Sequence, residues 1–461
     1  MSATTTRTKL AAWMRSEGDE PRLLRRIFWV AFLVRILYIT LAHTYHMRLI
    51  LDHFEFGWEM GRIARALVTG YGFANPFNGH SGPTAWCPPL YPLLLAAVFK
   101  LFGIYTLKSG WVILTINSIF SAATAVAIYE IAWRCFGRTV QGLKVALWSA
   151  WLWALYPAAM QYAVKWVWDM ALTAFLFAWV IVLALRIRGV GSTTANPQPA
   201  TSNLQPATLW LLFGLLWGLI ALSNSSLLTF LPACGLWMLW PALRTRTHLG
   251  AALRNAVLGF VCFAAVISPW VIRNWVVFHA FVPMRSNFGA ELYEATIFSN
   301  DGFPWMATLP LAESAPEFRR YERLGEIAYS KQQGEIAKAK IRAHPDLFAR
   351  NALRRVYFFW ISVPHPTDSG VSVEAIRRIN FSFTSFAGLL GLALAIRHRI
   401  PAAWLFFWAF AIIPFLYYFV TVQARFRHPL EPMICILAVY LFQSANRTRA
   451  WSWQKTAGDS Q

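Results

Sequence analysis

The residues able to act on a substrate gather at a few points in the chain. FEFGWEMGRIARALVTGYGF, residues 54–73, sets Glu55, Glu59, Arg62 and Arg65 beside a long apolar run. Asp169 stands in AVKWVWDMALTAF, four residues after Lys165. Arg273 falls in SPWVIRNWVVF, Arg285 and Asn287 follow in VPMRSNFGAELY, and VQARFRHPLEP carries Arg425, Arg427 and His428. A carboxylate can take the proton of an attacking hydroxyl, and two carboxylates can share a divalent cation. Guanidinium groups suit phosphate, whose oxygens match their planar fork. Plainer readings stand beside each of these: a Glu59–Arg62 pair on a solvated helix face, a Lys165–Asp169 ion pair at a membrane interface, and arginines that snorkel.

A chain built for lipid has to position these groups. Of its 461 residues 57% are hydrophobic and 14% charged, and the apolar residues come in long runs, which marks an all-α polytopic membrane protein. The net charge of +21 needs no nucleic acid, because Lys and Arg cluster in short loops between apolar runs, where they orient helices and meet anionic lipid. About ten spans are predicted, at 27–46, 110–133, 143–160, 166–187, 207–223, 225–243, 254–272, 379–396, 402–421 and 429–443.

Basic residues orient the spans. Arg7, Lys9, Arg15, Arg22, Arg25 and Arg26 hold the N-terminal tail in the cytoplasm, and Arg134, Arg138, Lys144, Arg186, Arg188, Arg244, Arg246, Arg397, Arg399, Arg447 and Arg449 then fall on that same side. The register works if PPLYPLLLAAVFKLFG, residues 88–103, does not cross; it starts with proline and is short for a span, so it should lie in the outer interface. The organisation expected is a cytoplasmic tail 1–26, an N-terminal transmembrane module 27–272 with an outer loop 47–109, an outer loop domain 273–378, C-terminal transmembrane helices 379–443, and a cytoplasmic tail 444–461. Both termini are then cytoplasmic and every candidate group listed above lies at the outer face of the cell (inner) membrane.

Within the outer segment, ERLGEIAYSKQQGEIAKAKIRAHPDLFARNALRRVYFFW reads as two amphipathic helices broken near Pro345. Residues 54–70 read as a juxtamembrane amphipathic helix ending at Gly70, with Glu55 and Glu59 on one face. Residues 189–206 are Ser/Thr/Asn/Pro-rich and form a cytoplasmic linker. The five cysteines are scattered singly, with no disulfide or metal spacing, and no phosphate loop, dinucleotide fingerprint or HExxH motif is present.

The succession of a first helix, an outer loop with an acidic residue ahead of ARALVTGYGF, then PPLYPLLLAAVFKLFG, then Asp169 in WVWDMAL, resembles the family 39 glycosyltransferases of the GT-C fold, the group of protein O-mannosyltransferases and the lipid A aminoarabinose transferase. SPWVIRNWVVF, RSNFGAELY, RAHPDLFARNALRRVYFFW and RFRHPLEP are similar to later parts of its bacterial branch.

The resemblance implies a bundle of about ten membrane helices with outer juxtamembrane helices, and a polyprenyl-phosphate-dependent hexosyl- or pentosyltransferase. It implies a catalytic carboxylate in the first outer loop: Glu59, nearest the ARALVTGYGF landmark, with Glu55 as the alternative, Asp52 further off, and Asp169 joining it. Lys165, Arg273, Arg285, Arg425, Arg427 and His428 would meet the donor phosphate. A divalent cation (Mg or Mn) would be shared by Glu59 and Asp169. The acceptor is a protein, lipid or glycan, and Trp305, Tyr321 and Tyr329 are candidates to stack on sugar. Two other classes remain open at this point: a lipid or solute transporter or flippase, and a noncatalytic membrane scaffold.

Overall fold

A computed structural model of the chain describes residues 20–48, 55–137, 139–191, 205–297, 316–361, 363 and 371–458. Asp52, Trp305 and most of the 189–206 linker lie outside these. Among the described residues every regular element is a helix, apart from an isolated Ala74–Pro83 bridge.

Helix α1 (Glu20–Leu41) is followed by two short helices, α2 (Glu59–Val68) and α3 (Leu90–Phe102). Next come α4 (Leu107–Phe136), α5 (Val140–Leu155), α6 (Pro157–Val164), α7 (Met170–Ile187) and α8 (Pro206–Ala221). A 3-10 turn (Ser225–Phe230) leads into α9 (Leu231–Thr245), then α10 (Leu249–Phe278). Four helices, α11 (Phe288–Glu294), α12 (Pro316–Leu324), α13 (Glu326–Ala343) and α14 (Pro345–Trp360), form the long connecting segment. The chain closes with α15 (Val371–Arg397), α16 (Ala403–Phe419), a second 3-10 turn (Ala424–Leu430) and α17 (Glu431–Gly458).

The protein is an integral membrane protein. Among the described residues five helical stretches are long and apolar enough to cross a membrane unaided, α4, α7, the turn plus α9, α10 and α15, while α8 and α16 are apolar but shorter. With α1, α5 and α17 they make up ten helical segments among the described residues. Contacts mark two ends of the bundle. At one end Leu90 N donates to Leu222 O (2.8 Å), Ser286 N to Ala85 O (3.1 Å) and Arg355 Nη2 to Ala295 O (2.8 Å). At the other, Arg134 and Arg186 share Glu130, Gln141 Nε2 donates to Gln443 O (2.8 Å), and His398 meets Tyr440. Arg134, Arg186 and His398 thus share one end, and Leu90, which opens the 13-residue α3, lies at the other beside Leu222.

Two local features explain how this end is built. Helix α5 cannot run on into α6 because Pro157 has no N–H for the carbonyl of Trp153. Arg35, fully buried, supplies the missing donors: its Nη2 reaches Trp153 O (3.2 Å), and its Nη1 reaches Ala154 O (2.9 Å) and Ala31 O (2.8 Å). The break turns α6 so that residues 165–169 leave the bundle as a non-helical loop. Helices α8 and α10 pack backbone to backbone through glycines: a Cβ on Gly214 would fall 2.0 Å from Gly259 O, as small residues allow where lipid gives no hydrophobic drive.

The connecting segment is held to the loop after α2 by Glu326. Its carboxylate accepts from Thr84 Oγ1 (2.5 Å), Ala85 N (2.6 Å), Ser286 Oγ (2.6 Å) and Tyr321 OH (2.9 Å). Tyr321 and Tyr329 are buried, edge-on to one another, so they pack this segment rather than offer a stacking face. The two helices expected on either side of Pro345 are α13 and α14.

Candidate active site

Glu59 opens α2, which stops at Val68 with Thr69 as its cap and Gly70 beyond. The helix is not the solvated one that a Glu59–Arg62 surface pair would need, since Arg62 is fully buried. Nor do Glu55 and Glu59 share a face. Glu55 precedes the helix at φ 60° and accepts from the Arg48 backbone N–H (3.1 Å).

Gly57 joins this loop to the second carboxylate. It sits at φ +80°, and a Cβ there would lie 2.6 Å from the carbonyl oxygen of Val167. The Glu59 loop therefore rests directly on the loop that carries Asp169. That second loop is pinned from beneath, where Asn117 Nδ2 donates to Trp166 O (3.3 Å) and to Tyr91 OH (3.0 Å). Asp169 is buried and stands at the N-terminal boundary of α7 without a side-chain cap bond; its Oδ2 accepts from Thr173 Oγ1 (3.3 Å). Lys165 is exposed and makes no ion pair among the described residues, against the expected pairing with Asp169. The i,i+4 geometry needs a helix, and α6 ends at Val164.

Glu59 and Asp169 share one charged environment, in which Arg425 acts on both. Burial raises the Glu59 carboxyl above its usual range, opposed by its own backbone N–H, Arg425 and Arg62 and reinforced by Glu291. Burial pushes Asp169 up to about 6, against the pull of Arg425, Arg285 and the Thr173 hydroxyl. Arg425 is lowered by burial and supported by Glu59, Asp169 and Glu291. It is half-buried, its Cζ lies 4.3 Å over the Trp168 ring and 5.4 Å from Phe426, and among the described residues it makes no ion pair and donates to no protein acceptor.

The other expected phosphate ligands are placed differently. Arg273 is engaged by backbone: Nη1 donates to Thr84 O (2.7 Å) and Nη2 to Phe73 O (2.7 Å), while its guanidinium is flanked by Phe73, Trp270 and Phe278. Arg427 is buried and directed into the bundle, to Phe381 O (3.1 Å), Ser385, Thr384 (3.3 Å) and Glu431 (3.3 Å). His428 is fully buried, its Nδ1 on Glu431 (2.8 Å) and its ring against Tyr162 and Trp153. Neither Arg273, Arg427 nor His428 faces the carboxylate pair; each satisfies groups the fold would otherwise leave unpaired. Arg285 is half-committed, donating to Trp86 O (3.1 Å) and Glu291 (3.4 Å), and it still acts on Asp169.

Residues that the sequence did not single out complete the site. Helix α11 brings Glu291, held by Asn287 Nδ2 (3.0 Å), and the buried Glu294. Burial, with Glu291 and Glu59 nearby, keeps the Glu294 carboxyl well above its usual range. Trp168 supplies the face on which Arg425 rests. The one signal for Trp168 was its position directly before Asp169; Glu291 and Glu294 carried none.

Among the described residues no three ligating side chains converge on a metal. Glu59 and Asp169 would suit only a cation that completes its shell with water and substrate phosphate, as magnesium does, and Arg425 already sets positive charge against both.

No protein-family model and no curated protein matches the chain. Solved structures do. The archaeal oligosaccharyltransferase AglB from Archaeoglobus fulgidus, in complex with an inhibitory peptide and a dolichol-phosphate, aligns at a TM-score of 0.55 and 12% identity over 96% of this chain and 52% of AglB. The apo form of the Archaeoglobus fulgidus oligosaccharyltransferase gives 0.55 and 13% over 97% and 52%. ArnT from Cupriavidus metallidurans bound to undecaprenyl phosphate gives 0.40 and 13% over 93% and 78%, too loose a likeness to argue from. The chain spans about half the length of the oligosaccharyltransferase it matches. At these identities the likeness is one of fold, and that fold is the all-helical GT-C architecture of polytopic membrane glycosyltransferases.

Proposed function

We propose that this protein is a membrane glycosyltransferase that moves a sugar from a polyprenyl-phosphate donor to an acceptor hydroxyl at the loop-rich face of the bundle, the outer or periplasmic face if the basic end is cytoplasmic. The observation that carries the reading is Arg425: a half-buried guanidinium with no protein acceptor among the described residues, acting on both Glu59 and Asp169. AglB binds a dolichol-phosphate in the aligned structure, and a prenyl-linked headgroup is the kind of ligand that a site at the end of a lipid-embedded bundle can receive.

In this reading Arg425 and Arg285 hold the donor phosphate. Glu59, ionised, takes the acceptor's hydroxyl proton as its oxygen bonds to the anomeric carbon. The bond from that carbon to the phosphate oxygen breaks, the electron pair leaves on the polyprenyl phosphate, and the guanidinium groups stabilise the charge gathering there. Attack on the face opposite the leaving group inverts the anomeric centre. Asp169 holds Arg425 by charge rather than by a bond. A divalent cation held by Glu59 and Asp169 would supply further neutralisation at the phosphate, and nothing in the sequence of steps depends on it. The outer segment 273–378, through its described helices, would cap the site and choose the acceptor, a protein, lipid or glycan.

The charges of the site gather at one end of the bundle rather than along a path through it, which favours transfer over transport. The test is incubation of purified protein in nanodiscs with a panel of polyprenyl-phosphate sugars, followed by mass spectrometry of product and released carrier. Transfer from one donor, lost in Glu59→Gln, supports the reading; carrier movement between leaflets with no bond cleavage overturns it.

A further inference from the structure

Resting on the donor-phosphate reading of Arg425, we propose that Trp168 is a positioning residue: its indole face holds the Arg425 guanidinium clear of Glu59 and Asp169, so that the guanidinium edge stays open to phosphate.

A half-buried guanidinium that acts on two carboxylates can form a forked ion pair with one of them. Arg425 feels both and pairs with neither among the described residues. Instead its Cζ stands 4.3 Å over the Trp168 ring. Stacking satisfies the flat face of a guanidinium by attraction to the ring's electron density while leaving its in-plane N–H groups unoccupied.

The platform itself is fixed. The Trp166 carbonyl is tied to Asn117 (3.3 Å), the Val167 carbonyl lies against Gly57, and the Trp168 backbone is hydrogen-bonded to Tyr91. A second ring, Phe426, lies 5.4 Å from the Arg425 Cζ and is itself stacked on Tyr417, with ring centroids 4.5 Å apart and 14° between planes. The guanidinium therefore has two aromatic neighbours, each held in place by other residues. Removing the indole face lets it swing onto a carboxylate, where it is neutralised and no longer available to phosphate.

The experiment measures the Kd of undecaprenyl phosphate for the protein in nanodiscs, alongside thermal unfolding. Trp168→Leu should weaken binding about tenfold, the size expected for a desolvated cation–ring contact, and Trp168→Phe should stay within about threefold of wild type. Capture by the carboxylate predicts that Trp168→Leu/Asp169→Asn recovers most of the lost affinity, which a general loss of structure would not. If Trp168→Leu binds as wild type while Arg425→Gln weakens binding, the inference fails and the donor site stands. If Trp168→Leu and Trp168→Phe weaken binding equally and Asp169→Asn restores nothing, the ring is structural only and the inference fails. If Arg425→Gln also binds as wild type, the donor-site reading itself is wrong, and the inference falls with it.

Discussion

Gly57 gives the sharpest prediction, because the structure separates its two effects. A Cβ at this position would lie 2.6 Å from Val167 O, with the backbone at φ +80°. Gly57→Ala must therefore both hold a side chain in a left-handed conformation, costing about 1–2 kcal/mol, and push the Glu59 loop off the Asp169 loop by several tenths of an ångström or more. Gly70 separates the two: its φ is +90°, and a Cβ there would meet nothing within 4 Å. Gly70→Ala has the strain alone. Both variants should unfold at reduced temperatures, Gly57→Ala at the lower because it also carries the clash with Val167 O. Only Gly57→Ala should lose transfer, on the order of 100-fold in kcat, the scale of a misplacement approaching 1 Å in a catalytic group. The assay is product formation from the identified polyprenyl-phosphate sugar, normalised to folded protein. Equal rates in the two variants would refute the claim that contact between these loops sets the carboxylate geometry.

Glu59→Gln should lower transfer about 100- to 10,000-fold without lowering thermal stability, while Glu55→Gln, whose side chain accepts from the Arg48 N–H, should stay near wild type in the same assay. Transfer should fall as pH drops through about 6, where Asp169 gains its proton, and protonation of Glu59, whose carboxyl burial raises, adds to the loss. Stability moves the other way. Asp169 binds its proton more tightly folded than unfolded, so its contribution is full below its ordinary value of 3.8 and is lost as pH rises to about 6; Asp169→Asn should flatten that part of the unfolding-versus-pH curve. Arg273→Ala should destabilise the 73–84 loop by roughly 2 kcal/mol or more, read as faster amide exchange there, with the Kd for undecaprenyl phosphate unchanged; weakened binding would return Arg273 to the phosphate site.

Much of the fold was legible because lipid imposes long apolar runs and confines basic residues to one end. The short α3, the stop of α2 before Gly70 and the break at Pro345 followed from length, glycine and proline. The placement of individual charges did not. Lys165 and Asp169 look like helical neighbours until α6, turned at Pro157, ends at Val164. Arg273, Arg285, Arg425 and Arg427 read alike along the chain. What distinguishes them is which carbonyls lie nearby, and those of Phe73 and Thr84 belong to a loop some two hundred residues from Arg273. Glu294 and Glu326 are both buried glutamates of the connecting segment. One is fully hydrogen-bonded and the other faces Glu59 and Glu291, a difference only packing decides.

The most direct measurement is an experimental density map of the protein in nanodiscs with undecaprenyl phosphate. The expected result is a phosphate within hydrogen-bond distance of the Arg425 guanidinium, about 2.7–2.9 Å, with the Glu59 carboxylate opening onto the same space. A headgroup bound at the Arg22, Arg25 and Arg26 end of α1, with none near Arg425, would contradict it.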